Sequence, residues 1–184
     1  ISVEVRRKFV FEDSYHQLSN KSGDAIKYGK LSIKFKNEEG VDAGGVTREW
    51  FSVLSQQMFN PDYALFRPSA VDKVTYQPNR LSYFNPNHLS YFNFVGKIIG
   101  KAIFDSIPLD SYFTRSFYKM MIDSPVDLKD MEAVDPEYHK SLEWILNNDI
   151  TDILELTFSI EVDDLGKKEV IDLVPNGDKI AVTN

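Results

Sequence analysis

One stretch of the chain sets the terms for everything around it. Between Asn87 and about Ser106 apolar residues cover nearly the whole circumference of a would-be helix. Leu89, Phe92, Val95, Ile99 and Ile103 recur on one stripe, and Tyr91, Phe94 and Ile98 on another. A helix apolar almost all round is expected at the centre of a core, with the rest of the chain wrapped about it. Asn87 offers an N-cap and Pro86 marks the turn before it. Lys97 and Lys101 interrupt the run, so it falls short of the roughly 18 apolar residues that read as a membrane span. Gly96 and Gly100, four apart, predict a neighbouring helix at close approach.

The elements upstream are short. Val3 and Val5 alternate with charged residues as a strand, and a helix follows over Glu12 to Leu18. Leu31, Ile33 and Phe35 alternate with Ser32, Lys34 and Lys36, a period-two strand with one wet face. A glycine-bearing loop, Glu38 to Gly45, leads into a helix from about Val46 to Phe59 that Asn60-Pro61 ends. That loop lies where phosphate-binding loops lie. It lacks the Lys-Ser/Thr of a P-loop and the dinucleotide glycine pattern, and its acids would repel phosphate. Its glycines are expected at positive φ, with Asp42, Arg48 and Glu49 paired internally. Lys73 to Gln77 reads as a short strand, and Tyr112 to Ile122 as a helix packed on the central one.

From Ser124 the texture changes. Between Asp123 and Asp164 there are 13 Asp or Glu against only Lys129 and Lys140, a local net of −11 within an overall −7. Asp127 to Ala133 reads as an acidic helical turn. Asp135-Pro136 opens a further helix, with Asp at the N-cap, Pro at the first position and Glu137 in the first turn. Tyr138, Leu142 and Ile145 then recur at helical spacing. Leu154, Leu156, Phe158, Ile160 and Val162 alternate with polar residues as a strand, and a turn at Asp163 to Gly166 returns through a second strand, Glu169 to Val174. A turn at Pro175 to Asp178 and a last strand, Ile180 to Val182, complete the pattern. The fold class expected is α+β, mostly helical, with a large subdomain over residues 1–123, a small helix-plus-hairpin subdomain over 124–176, and a return to the large one over 177–184.

The 184 residues contain no cysteine, so thiol nucleophiles, thiolate metal sites and disulfides are excluded within them. His16, His88 and His139 show no metal spacing, and no GxSxG is present, which leaves a serine hydrolase without a sequence sign. Neither metal nor cofactor is expected. An acidic block disfavours nucleic acid and suits either a solvated face or the steering of a basic partner. The opening ISVEVRRKFVFED has charges where a secretory signal needs an apolar core, so an intracellular chain, cytoplasmic or nuclear, is expected. About fifty residues make a meagre core. The apolar faces at Tyr138, Leu142, Ile145 and at Leu154, Leu156, Phe158 are therefore expected to pack in part on each other. What is left over either closes within the subdomain or stays open as a partner groove.

Several stretches together carry a resemblance: FKNEEGVDAGGVTREWF (Phe35 to Phe51), FNPDYALF (Phe59 to Phe66), HLSYFNFVGKIIGKAIFD (His88 to Asp105), YFTRSFYKMM (Tyr112 to Met121), SLEWILNNDITDILELTFSIE (Ser141 to Glu161) and LVPNGDKIAVTN (Leu173 to Asn184). Collinear over nearly the whole chain, they resemble the N-terminal lobe of HECT-type E3 ubiquitin ligases. Within that family the chain is most similar to the very large members whose mammalian form carries UBA and WWE domains. The resemblance implies a lobe that binds a ubiquitin-charged E2, so that ubiquitin passes to a cysteine in a separate C-lobe of the same protein and then to a substrate lysine. The fragment itself would be inactive alone. The residues matching the family's E2 groove are Tyr138, Ser141, Leu142, Ile145 and Asn148 on the helix, with Leu154 and Leu156 on the strand. A ubiquitin-binding surface on the large subdomain would fall at Val74 and Tyr76. A non-catalytic protein-binding scaffold of the same fold is the alternative.

Overall fold

The computed structural model describes residues 1–38, 44–151, 153–164 and 166–183. The chain divides into two compact units, Ile1–Val134 and Asp135–Asn184.

In the first unit the alternating segments pair as expected. β1 (Ser2–Val5) and β2 (Ser32–Phe35) run parallel, in register from Ser2 opposite Ser32 to Val5 opposite Phe35. Each buries every second residue, so Val3, Val5, Ile33 and Phe35 face inward. α1 (Val10–Leu18), α2 (Gly23–Tyr28) and α3 (Gly45–Met58) pack around them. Ser22 caps α2 by accepting a hydrogen bond from Ala25 N at 3.1 Å. Trp50, Phe51, Leu54 and Met58 of α3 are fully buried, and the Trp50 indole donates to Ser14 Oγ at 2.9 Å.

α4 (His88–Phe104) is the long helix the sequence predicts, and Phe94 and Ile98 are wholly buried. It is not sheathed all round. Leu89 and Ile103, assigned to the first stripe, are 71% and 70% exposed. Nor does a helix close on Gly96 and Gly100, where an added Cβ would meet nothing within 4 Å. Gly96 instead opens on an apolar groove of about 350 Å³ lined by Phe66, Phe92, Ile99 and Phe117. The two lysines that break the apolar run have structural roles. Lys97 Nζ donates to the carbonyls of Ser19 and Lys21, and the buried Lys101 to those of Lys27 and Gly29 and to Asp105 Oδ1. One turn apart, they satisfy the carbonyl ends of α1 and α2.

β3 (Phe66–Pro68) and β4 (Tyr76–Pro78) form an antiparallel pair. α5 (Arg115–Met121) begins three residues later than periodicity suggests. The reason is a backbone bridge: Tyr76 N donates to Tyr112 O at 2.7 Å and Thr114 N to Tyr76 O at 3.0 Å, which holds 112–114 extended. α6 (Leu128–Met131) is the acidic turn, closed by a capping box of Asp127 and Asp130. Asp130 is nearly inaccessible, yet Lys119 Nζ reaches it at 2.6 Å and Asp127 N at 2.9 Å. Those donors hold its carboxyl below the ordinary range, the Lys119 hydrogen bond most of all.

Of the loop 38–45, residues 39–43, Asp42 among them, lie outside the described residues. Gly44 has φ of 102°, as its glycine predicts. Arg7 grips Glu49 at 2.7 Å and Glu38 at 2.6 Å, while its guanidinium lies over the Phe35 ring.

The second unit holds α7 (Pro136–Asn147) and an antiparallel hairpin of β5 (Ser159–Asp164) and β6 (Lys167–Asp172). The hairpin turn is tighter than the sequence implies. Gly166, at φ 88°, donates its N–H to Asp163 Oδ1 at 2.7 Å. Val182 N donates to Leu156 O and Phe158 N to Ile180 O, so 156–158 and 180–182 run alongside each other. The fold is therefore α+β and mostly helical, with three two-stranded sheets among the described residues.

Candidate docking site on the second unit

α7 starts where its sequence says it should: Asp135 accepts from Tyr138 N at 3.0 Å with Pro136 in the first turn. At about 100° per residue, Tyr138, Ser141, Leu142, Ile145 and Asn148 lie within one broad face. Their environments differ. Tyr138, Ser141 and Asn148 are exposed, whereas Leu142 and Ile145 are half-buried. Ser141 Oγ donates to Glu137 O at 3.1 Å and Asn148 Nδ2 to Trp144 O at 2.7 Å, so both polar groups also close their own helical turns.

The two leucines expected on the strand are not on it. Ile153 N and Leu154 N both donate to Ile150 O, at 3.0 and 3.1 Å, so a helical turn carries the chain to Leu154. Leu156 follows in the extended piece beside 180–182, ahead of β5. The period-two alternation marks an extended chain there, while the turn at Ile150 delays its start. Leu154 nevertheless reaches α7. With Lys140, Ser141, Trp144 and Ile145 it lines an open groove of about 350 Å³. Three of the seven residues singled out in the sequence thus meet in one depression. Tyr138, Leu142, Asn148 and Leu156 are not in its lining. Trp144 and Lys140 are, and the sequence reading missed both. The spacing could have found them, since Trp144 stands three residues after Ser141 and four before Asn148.

Two charged groups of the second unit are held toward their ionised forms by hydrogen bonds. Asp149 accepts from Thr151 N at 2.9 Å, and that bond holds its carboxyl below the ordinary range. Lys168 pairs with Glu161, which raises the lysine. In the first unit Val74 is exposed on the turn before β4, where Asp72 accepts from the N–H groups of Val74 and Thr75. The Tyr76 ring is half-buried and stacked on Phe59 at 3.9 Å.

Among the described residues no cluster of His, Asp or Glu could hold a metal ion. No helix among the described residues is long and apolar enough to cross a membrane. Ser82 Oγ and His88 Nδ1 are 3.0 Å apart, the one serine–imidazole pair among the described hydrogen bonds. Ser82 is buried in a 3-10 turn, and no described carboxylate orients His88, so the pair lacks the third member of a triad.

The model of the HECT-domain (ubiquitin-transferase) family matches residues 52–184. The chain belongs to the HECT-domain family. It is 60% identical over 183 residues to the E3 ubiquitin-protein ligase TOM1 of Saccharomyces cerevisiae, covering all of this chain and 6% of that protein. The probable E3 ubiquitin-protein ligase TOM1 of Eremothecium gossypii matches at the same identity and coverage. HUWE1 of Mus musculus, also named an E3 ubiquitin-protein ligase, is 51% identical over 184 residues, again over the whole chain and 4% of that protein. The chain therefore spans a small part of the relatives it matches, and corresponds to the N-terminal part of the HECT domain.

Proposed function

We propose that this chain is the E2-docking portion of a HECT ubiquitin ligase. In this reading the α7 groove receives an apolar loop of a ubiquitin-charged E2. Ubiquitin then passes to a cysteine carried elsewhere in the same polypeptide, in its C-lobe, and on to a substrate lysine. The observation that carries the reading is the open groove between α7 and Leu154, on the face that the HECT resemblance singles out. Its contribution to catalysis is positional. Holding the thioester near the accepting cysteine removes translational and rotational entropy from the barrier. A groove this small suits a transient interface, and the surrounding acids would steer a basic partner toward it.

Ile145→Ala or Leu154→Ala, both in the lining of the groove, is expected to weaken E2 binding by about 1–3 kcal/mol, the range of an anchoring side chain, while the protein stays folded. Titration of the full-length protein against a panel of E2s measures it; no binding to this face sinks the proposal. Unchanged ubiquitin transfer by a Tyr138→Ala or Leu156→Ala protein would favour a scaffold with another partner. Steering predicts that added salt slows association and leaves dissociation nearly unchanged. On the first unit, Val74 and the turn at Asp72 are the part of the expected ubiquitin surface open to solvent. Val74→Asp is the corresponding test of ubiquitin affinity.

A further inference from the structure

We propose that the cleft between α2, the start of α3 and the end of α4 is a binding site for an acidic peptide. It lies wholly in the first unit and does not rest on the docking reading of α7. The cleft holds about 540 Å³, and Lys27, Lys30, Arg48 and Lys101 line it against the single carboxylate of Asp105. The buried Lys101 answers that carboxylate at 3.1 Å. Lys27, Lys30 and Arg48 are exposed and form no ion pair among the described residues, so three positive charges border one space. Glu38 and Glu49, the described acids on either side of the start of α3, are both taken by Arg7 and do not line the cleft. The start of α3, with no acid in its first turn, adds its partial positive charge.

The wall is set before a ligand arrives. Lys101 Nζ donates to the carbonyls of Lys27 and Gly29 at 3.0 and 2.9 Å, which pins the turn that carries Lys27, Tyr28 and Lys30. Gly29 fits there only as glycine, because a Cβ would stand 2.5 Å from Ala25 O and 2.7 Å from Ile1 Cδ1. A wall already ordered loses little conformational freedom on binding. The rim indicates the kind of anion. Tyr28 is 69% exposed and meets the exposed Phe104 edge-on at 5.7 Å, with Lys27 Nζ 5.0 Å from the centre of the Tyr28 ring. Exposed rings beside unpaired cations suit a ligand that brings carboxylates and an apolar side chain together. A peptide does so, whereas a small inorganic anion would leave the rings uncovered. A nucleic acid backbone calls for a longer row of cations than these three.

The test uses the full-length protein and a fluorescein-labelled peptide of Asp and Glu around one leucine, read by fluorescence anisotropy. The dissociation constant is expected to rise roughly tenfold in the Lys30→Glu, Arg48→Glu double variant and about threefold in Tyr28→Ala. Added salt is expected to weaken binding, and the same peptide with Asn and Gln in place of its acids is expected not to bind. Lys73→Glu, which reverses an exposed lysine outside the cleft, is expected to leave the affinity unchanged. If the double variant melts below the wild type, Lys30→Gln with Arg48→Gln carries the test, with about a threefold rise expected. The proposal is overturned if the acidic peptide does not bind. It is equally overturned if Lys73→Glu weakens binding as much as the double variant, since the attraction is then to a positive surface at large. A single-stranded RNA that binds more tightly than the peptide, and loses affinity in the double variant, would give the cleft to nucleic acid instead.

Discussion

The two units of this chain are built on opposite terms. In residues 1–134, strands, helices and aromatic rings close on one another. Phe11 alone packs against Tyr63, Tyr91 and Phe94 with ring centres 4.5 to 5.5 Å apart. In residues 135–184, Ile150 is the one buried apolar side chain among those described. Trp144, Leu146, Ile160, Val170 and Leu173 are exposed. The first unit holds its shape through burial, at about 25 cal/mol for each Å² of apolar surface removed from water. The second relies on caps, a tight hairpin and backbone pairing, and leaves most of its apolar groups exposed. On the docking reading proposed above that exposure has a use, because surface already buried within a fold cannot be buried again in an interface.

Substitutions can break or sharpen this contrast. The largest effect is expected from Trp50→Ala, which removes a fully buried ring and its hydrogen bond to Ser14. It should cost about 3–5 kcal/mol, read as loss of hydrogen-exchange protection across β1, β2, α1 and α3. An equal loss confined to residues 135–184 would refute the division. Next comes Gly177→Ala. A Cβ there would stand 2.0 Å from the Phe158 carbonyl oxygen, a backbone atom with little room to yield. About 1–3 kcal/mol is expected, with the faster exchange limited to the hairpin and the 180–182 segment.

A smaller effect is expected from Asp130→Asn, and it depends on pH. The folded protein holds the Asp130 carboxyl below its unfolded value. The contribution is therefore present above the ordinary carboxylate range and disappears as pH falls through the depressed folded pKa. The variant should melt below the wild type at neutral pH, and the two should converge in strong acid. A gap independent of pH would mean that Asp130 acts through shape and not charge.

Several elements were legible because they depend only on neighbours in the chain. The alternating burial along β1 and β2, the Asp135-Pro136 start of α7, the capping turn at Asp127 and the turn at Asn176-Gly177 all follow from local spacing and capping chemistry. The groove was half legible. Ser141, Ile145 and Leu154 were singled out and do meet, while Trp144 and Lys140 were not singled out and do line it. Helical periodicity places Trp144 on that flank, but nothing in the sequence says that Leu154 crosses to face it.

By itself, the sequence determined the α+β class, the acidic balance of the second half, the absence of cysteine and the HECT resemblance. Only the tertiary structure decided which side of α4 stays open, why Lys97 and Lys101 sit in an apolar helix, and where the extended chain after Ile150 begins. Each of those depends on partners far away in sequence: the carbonyls of Ser19 and Gly29 for the lysines, and the strand at 180–182 for Leu156. Periodicity reports which way a side chain points. Long-range backbone pairing decides what it meets there.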